Sequence, residues 1–176
     1  MKEIEVKFLE IDAAKLQKRL RALGARKILD ATVNTAMFDF PDNRLAKKNE
    51  SLRLRQAGDH IFITHKRLIS KKKFKMQHET EFDVSDWNAI KKTFHAIGLV
   101  ETHRTKKHRI SWKLKGVRIE IDTYKRIPTY AELEGHKVAI INVAKLLGLN
   151  MKDAKPWSGP EMWERYRVGK KPMASD

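Results

Sequence analysis

The chain opens on two carboxylates and an amine spaced two residues apart, Glu3, Glu5 and Lys7, with Ile4, Val6 and Phe8 between them. The same spacing returns along the sequence. Arg53 and Arg55 form a basic pair, Thr64 and Lys66 a hydroxyl and an amine, and Glu79 and Glu81 an acidic pair. Lys107 with Arg109, Glu120 with Asp122, and Glu132 with Glu134 complete the series. Clustered carboxylates hold hard divalent cations through oxygen, while arginine and lysine pairs hold phosphoryl oxygens. Both kinds of group in one chain suit a multiply charged phosphate ligand bound with metal.

An alternating strand puts residues i and i+2 on one face, ~6.6 Å apart. Two like charges at that distance repel by about 0.6 kcal/mol in bulk water and by ~2.5 kcal/mol at an effective dielectric of 20. On a wet sheet face such pairs are inexpensive and carry no message, and half-solvated antiparallel strands are common. Two features argue for an interior instead. Most strands carry pairs of one sign rather than a polar mixture, and the helices need the apolar faces as packing surface. If helices cover the outside, the charged faces look inward at one another.

Three helices are expected. The first runs from Asp12, its N-cap, to Leu23 before Gly24, with a stripe of Leu16, Leu20 and Leu23. The second starts at Ser85 or Asp86, buries Trp87, Ile90, Phe94 and Ile97, and stops at Gly98. The third carries Ile140, Ile141, Ala144 and Leu147 and ends at Gly148, and a short last helix spans Gly159 to Arg167. Each main helix follows a strand with two acids two apart: Glu3/Glu5, Glu79/Glu81 and Glu132/Glu134. The further strands read as 25–40, 51–57, 60–67, 100–107, 108–115 and 117–124, with tight turns at Asp59 and Gly116. Eight or so antiparallel strands with few helices give an α+β barrel. We expect one domain over 1–168 and a loose tail over 169–176.

The chain has 176 residues, 41% of them hydrophobic, and a formal net charge of +16, which favours polyanionic partners. Cysteine is absent, which excludes disulfides, thiolate metal sites and a cysteine nucleophile. The seven histidines show no zinc-type spacing, and no glycine-rich phosphate loop is present. No apolar leader follows Met1 and no run reaches the ~18–20 apolar residues of a membrane span, so a cytoplasmic protein without membrane contact is expected. The basic run Lys71 to Lys75 reads as a solvated loop beside the mouth of the barrel, and Trp87 and Trp112 as core residues.

The ordered series Glu3-x-Glu5-x-Lys7, Arg53/Arg55, Thr64-His65-Lys66, Glu79/Glu81, Lys107/Arg109, Asp122 and Glu132/Glu134 resembles the CYTH superfamily over nearly the whole chain. That superfamily includes class IV adenylyl cyclases, thiamine triphosphatases and inorganic triphosphatases. The resemblance implies a triphosphate tunnel, an eight-stranded antiparallel barrel with helices outside. It implies Mg²⁺ or Mn²⁺ on Glu3, Glu5, Asp122, Glu132 and Glu134. Phosphates would lie on Lys7, Arg53, Arg55, Lys66, Lys107 and Arg109, with Glu79 and Glu81 as supporting acids. Glu5, Lys66 and Arg55 become the catalytic candidates, and ATP, thiamine triphosphate or tripolyphosphate the substrates. Gln77 departs from the pattern, standing where members often carry a basic residue, and Lys75 is the substitute at hand. A possible homodimer is also implied. The rival readings are a module that binds polyphosphate or the 5′-triphosphate end of a nucleic acid without turnover, and a structural barrel whose charges neutralise pairwise.

Overall fold

The computed structural model describes residues 2–167. Eight strands follow the expected alternation: β1 (Lys2–Phe8), β2 (Arg26–Asp39), β3 (Glu50–Ala57), β4 (His60–Lys71), β5 (Lys75–Val84), β6 (Val100–Leu114), β7 (Val117–Thr123) and β8 (Tyr130–Glu134). The helices are α1 (Ala13–Ala22), α2 (Arg44–Lys47), α3 (Trp87–Ala96), α4 (Lys137–Leu147) and α5 (Gly159–Arg167). The strands close into an antiparallel barrel in the order β1-β5-β4-β3-β2-β6-β7-β8. The α+β barrel expected from the sequence is therefore present.

Local chemistry fixes the helix ends. Asp12 accepts a hydrogen bond from the Lys15 amide, and Asp86 accepts from the amides of Asn88 and Ala89, meeting donors that a helix start leaves without partners. Gly148 ends α4 at φ 75°, a backbone angle costly for any residue with a Cβ. The turns at Gly58–Asp59 and Lys115–Gly116 join β3 to β4 and β6 to β7 as expected.

The apolar faces look outward, where α1 and α4 cover one side of the barrel and α3 another. Val6, Trp112, Ile119, Ile121 and Leu133 pack with Leu16 and Leu20 of α1 and with Ile140, Val143 and Ala144 of α4. Ala36, Phe38, Leu54 and Ile63 pack with Phe94 of α3, and Phe38 meets Phe94 edge to face at 5.0 Å between ring centroids. Burial of these faces is the main stabilising term.

Four expectations need correction. The segments 100–107 and 108–115 form one strand of 15 residues, because the pleat continues through Lys107-His108-Arg109 with no turn residue to break it. Ile97 is 60% exposed, since α3 ends one residue earlier and its stripe meets the sheet only through Phe94 and its half-buried neighbours Trp87 and Ile90. The solvated part of the basic run is shorter than expected. Lys71 and Lys75 pair across the β4–β5 hairpin and Phe74 is buried, leaving Lys72 and Lys73 exposed. The short α2 was not anticipated; both Asp39 carboxylate oxygens fix its start by accepting from the amides of Leu45 and Ala46. Trp112 is core as expected, at 3% exposure. The tail 169–176 lies outside the described residues.

Leu133 sits on β8 with no exposure, under α4. Leu133→Ala is expected to cost about 2–5 kcal/mol of unfolding free energy, the usual range for truncating a packed core leucine. Denaturant titration followed by circular dichroism measures this, with an unchanged m-value as the sign that the barrel is retained.

Candidate functional site

The register carries the charged faces into the barrel. Glu5 pairs with Lys75 on one side and Glu134 on the other, and Lys7 pairs with Glu132. Lys66 pairs with Glu79 and Thr64 with Glu81, while Arg109 pairs with Asp122 and Ser111 with Glu120. Glu3, Glu5, Lys7, Lys66, Arg109, Glu120, Asp122 and Glu132 are all buried although every one is ionisable. Burial of that many charges is tolerable only with partners at contact distance.

Those partners are present. Lys66 Nζ donates to both Glu3 oxygens at 2.6 Å and pairs with Glu79 at 2.6 Å. Lys7 Nζ lies 2.7 Å from Glu5 and 2.5 Å from Glu132, and Lys75 Nζ lies 3.1 Å from Glu5. Arg109 grips Asp122 with two parallel bonds of 2.6 Å and contacts Glu120 through Nη1. Lys107 donates to Asp122 at 2.7 Å. Arg53 stands 3.8 Å from both Glu79 and Glu81, and Thr64 Oγ1 donates to Glu81 at 2.6 Å. Arg55 is half-buried one step further along β3, between Thr35 and Phe62.

Every candidate site residue therefore belongs to an inner strand face, and the structure adds two more. Glu120 was visible in the sequence as the partner of Asp122 on β7 but had no role there. Lys75 does turn inward, as the departure at Gln77 suggested, and reaches Glu5. Gln77 itself is buried with its Oε1 unpaired, and Ser111 Oγ is also without a partner in the interior.

Electrostatics divides the carboxylates into two groups. Burial would raise Asp122, but Arg109 and Lys107 hold it at about 2. Burial opposes ionisation of Glu132 as well, yet Lys7 and Arg109 hold it well below the usual range. Glu5 is pushed up by burial and by Glu132, and Lys7, Lys75 and Lys66 together bring it below its ordinary value. Glu134 behaves oppositely. Burial, then Glu3 and Glu120, push it up to about 8, and Arg118 does not offset them. Glu3 and Glu120 are also raised, in each case mainly by burial.

Among the described residues no three carboxylate or imidazole side chains form a ready-made metal cage. The donor set nevertheless suits a hard cation. Glu134, Glu3 and Glu120 are raised first by burial, with Glu3 and Glu120 adding repulsion at Glu134, and a divalent ion at that end would favour their ionised forms as oxygen ligands. Asp122 differs in that Arg109 and Lys107, which engage its oxygens, hold it at about 2 instead of leaving it raised.

A second structure closes one end of the barrel. Tyr124 and Tyr130 continue the inner faces of β7 and β8, and Met162 and Trp163 of α5 pack on them. The Tyr124 and Trp163 rings meet edge to face at 5.2 Å. Lys71, at the end of β4, contacts Glu161 of α5, and β4 stands directly across the ring from β7. Reciprocal backbone bonds between Lys7 and Lys155, and a 2.8 Å bond from Tyr166 to Glu10, anchor the segment. Helix α5 thus spans that mouth.

The raised acids set a pH dependence in metal-free protein. Between the ordinary value of 4.5 and about 8, native Glu134 holds a proton that the unfolded chain has released. Stability is then fully present below about 4.5 and falls as pH rises through about 8. Thermal unfolding across pH 5 to 9 is expected to show this decline, and Glu134→Gln to flatten it; an identical slope in the variant would contradict the assignment.

The CYTH domain family model matches residues 1–139. A Methanocaldococcus jannaschii protein, named as a candidate adenylate cyclase, is 26% identical over 134 residues, covering 76% of this chain and 77% of its own. The structure of the PH1012 protein from Pyrococcus horikoshii aligns with a TM-score of 0.78 at 25% identity, over 91% of this chain and 98% of that one. A Hippeastrum protein described as an adenylyl cyclase candidate with dominant triphosphatase activity aligns at TM-score 0.63 and 17% identity, over 97% of each chain. The interior ladder of paired charges and the match across most of the sequence lead to one conclusion: the chain belongs to the CYTH domain family.

Proposed function

We propose that this protein is a divalent-metal-dependent enzyme that transfers a phosphoryl or nucleotidyl group from a triphosphate held inside the barrel. One observation carries the reading: the interior concentrates cations and acids from all eight strands except β2, far more charge than a barrel needs for its own packing. Fully satisfied charges of this kind are a costly way to fill a core, whereas a phosphate guest gives each side a partner. The names of the M. jannaschii and Hippeastrum relatives support a triphosphate as the substrate class.

In this reading Arg53, Arg55, Lys66, Lys7, Lys107 and Arg109 receive phosphoryl oxygens. Glu79 and Glu81 orient Arg53 and Lys66, which they already contact. Glu3, Glu5, Glu132 and Glu134 would hold Mg²⁺ or Mn²⁺, with Glu120 beside them and Asp122 steering Arg109 and Lys107. The metal, when bound, neutralises charge on the phosphate that leaves. Glu5, Lys66 and Arg55 are the catalytic candidates: Arg55 and the Lys66 ammonium for developing charge, and Glu5 for the proton of the attacking oxygen. If water attacks the terminal phosphorus, its proton goes to the base, the bond from that phosphorus to the bridging oxygen breaks, and the diphosphate leaves as orthophosphate forms. If the ribose 3′-hydroxyl attacks the α-phosphorus, the 3′-O–P bond forms, the bond to the β-phosphate oxygen breaks, and pyrophosphate leaves.

Chromatography of products from ATP, thiamine triphosphate and tripolyphosphate with Mg²⁺ or Mn²⁺ tests this. Cyclic AMP identifies cyclisation and orthophosphate identifies hydrolysis, while metal-dependent binding without any product would show a binding module and sink the proposal. Arg55→Ala is expected to lower turnover by about 10²-fold or more, the usual scale for losing one preorganised charge partner, with the melting temperature little changed. A wild-type rate in that variant would remove Arg55 from the site.

A further inference from the structure

Apart from the apolar inner face of β2 (Ala31, Val33 and Met37), the inner faces are mostly charged or polar, and aromatic rings on them are few. Tyr124 and Tyr130 are packed under α5. Phe62 is not. It lies near the start of β4, with Lys71 at the strand's other end beneath α5, so it faces the mouth that α5 does not span. Its place on the inner face follows from the pleat. Ile61 and Ile63 turn outward to the cluster under α3, while Thr64 and Lys66 turn inward to Glu81 and Glu79. Phe62 shares their face, is half-buried, and belongs to none of the hydrophobic clusters.

An inward phenyl ring among charges has no packing role to explain it. Its surroundings are specific. Arg55 is its register partner on β3 and Asp83 its partner on β5. His60, two residues earlier on the same face, lies with its ring 16° from parallel and 5.9 Å away between centroids. Asp83 stands 3.6 Å from the His60 ring and is largely exposed, so this rim is open to solvent. This rim thus offers two near-parallel rings on β4, a carboxylate acceptor on β5 and, on β3, the arginine pair assigned to phosphate.

Building on the triphosphate reading, we propose that Phe62, with His60, is a stacking platform for a planar heteroaromatic group on the substrate, and that the natural substrate is a base-bearing triphosphate rather than an inorganic one. Phosphates on Arg53 and Arg55 leave the organic end at the Phe62 rim. A ring stacked there contacts an aromatic face on one side, and Asp83 can accept a hydrogen bond from an exocyclic amine. Stacking tolerates different bases, so the platform selects for a ring without fixing its identity.

Calorimetric titration with ATP and with tripolyphosphate, each with Mg²⁺, tests the platform in wild type, Phe62→Ala and Phe62→Trp. Phe82→Ala, at a 53% exposed ring on the outer face of β5, is the control. Phe62→Ala is expected to weaken ATP binding about tenfold, within the range measured for losing one base–aromatic stack, and to change tripolyphosphate binding less than twofold. Phe62→Trp should retain ATP affinity, and Phe82→Ala should alter neither ligand. Equal losses for both ligands, or no loss for ATP, would overturn the platform while leaving the phosphate site intact. Failure of wild type to bind either ligand would bring down the triphosphate reading, and the platform with it.

Discussion

The fold depends on a balance of charges that face one another inside a barrel. A carboxylate or ammonium taken from water loses several kcal/mol of solvation even after relaxation, and only close partners recover it. Here the recovery is local and mutual: Lys66 between Glu3 and Glu79, Lys7 between Glu5 and Glu132, Arg109 between Asp122 and Glu120. Each cation bridges two acids, and every one reaches at least one acid on another strand, so the network ties the barrel together through its centre as the backbone ladder does through its wall. The same proximity that makes the network tolerable makes it exchangeable. A phosphate brings acceptors for the cations and a divalent ion brings a partner for the acids, so both sets of groups can be satisfied in two ways.

This balance also locates the positive charge of the chain. The inward cations are nearly matched by the inward acids, with Glu120 and Glu134 in the latter set. The chain's excess of +16 therefore does not come from the tunnel lining. It cannot be what holds a phosphate at the centre; what it provides is a field that draws anions toward the molecule from a distance, weakened by salt. The high isoelectric point and the site are two separate properties of one sequence.

The outer half of the structure serves the inner half. Helices α1, α3 and α4 give the apolar faces something to pack on, and that packing sets which way each strand presents its charges. A register slip of one residue in a strand would exchange its two faces and place side chains such as Leu54, Ile63 or Leu133 in the tunnel. Helix α5 has a different part, closing one mouth against two tyrosines and leaving the other mouth with Phe62 and His60 at its rim.

Much of this was legible in the sequence because alternation is a local property. The spacing of Glu3, Glu5 and Lys7, of Arg53 and Arg55, and of Glu132 and Glu134 determines that each set shares a face, and the caps Asp12, Asp86 and Gly148 determine where helices begin and end. Only the tertiary structure decided which strands stand side by side. The pairings of β1 with β5 and of β2 with β6 join segments separated by whole helices and hairpins, and no spacing rule reaches that far. The first of these sets Lys66 against Glu3, 63 residues away, and the pairing of β8 with β1 and β7 buries Glu134 near Glu3 and Glu120, which raises it to about 8. They also turned Phe62 from one more apolar residue of a strand into a ring on the tunnel wall, because a side chain's face has meaning only once the barrel has an inside.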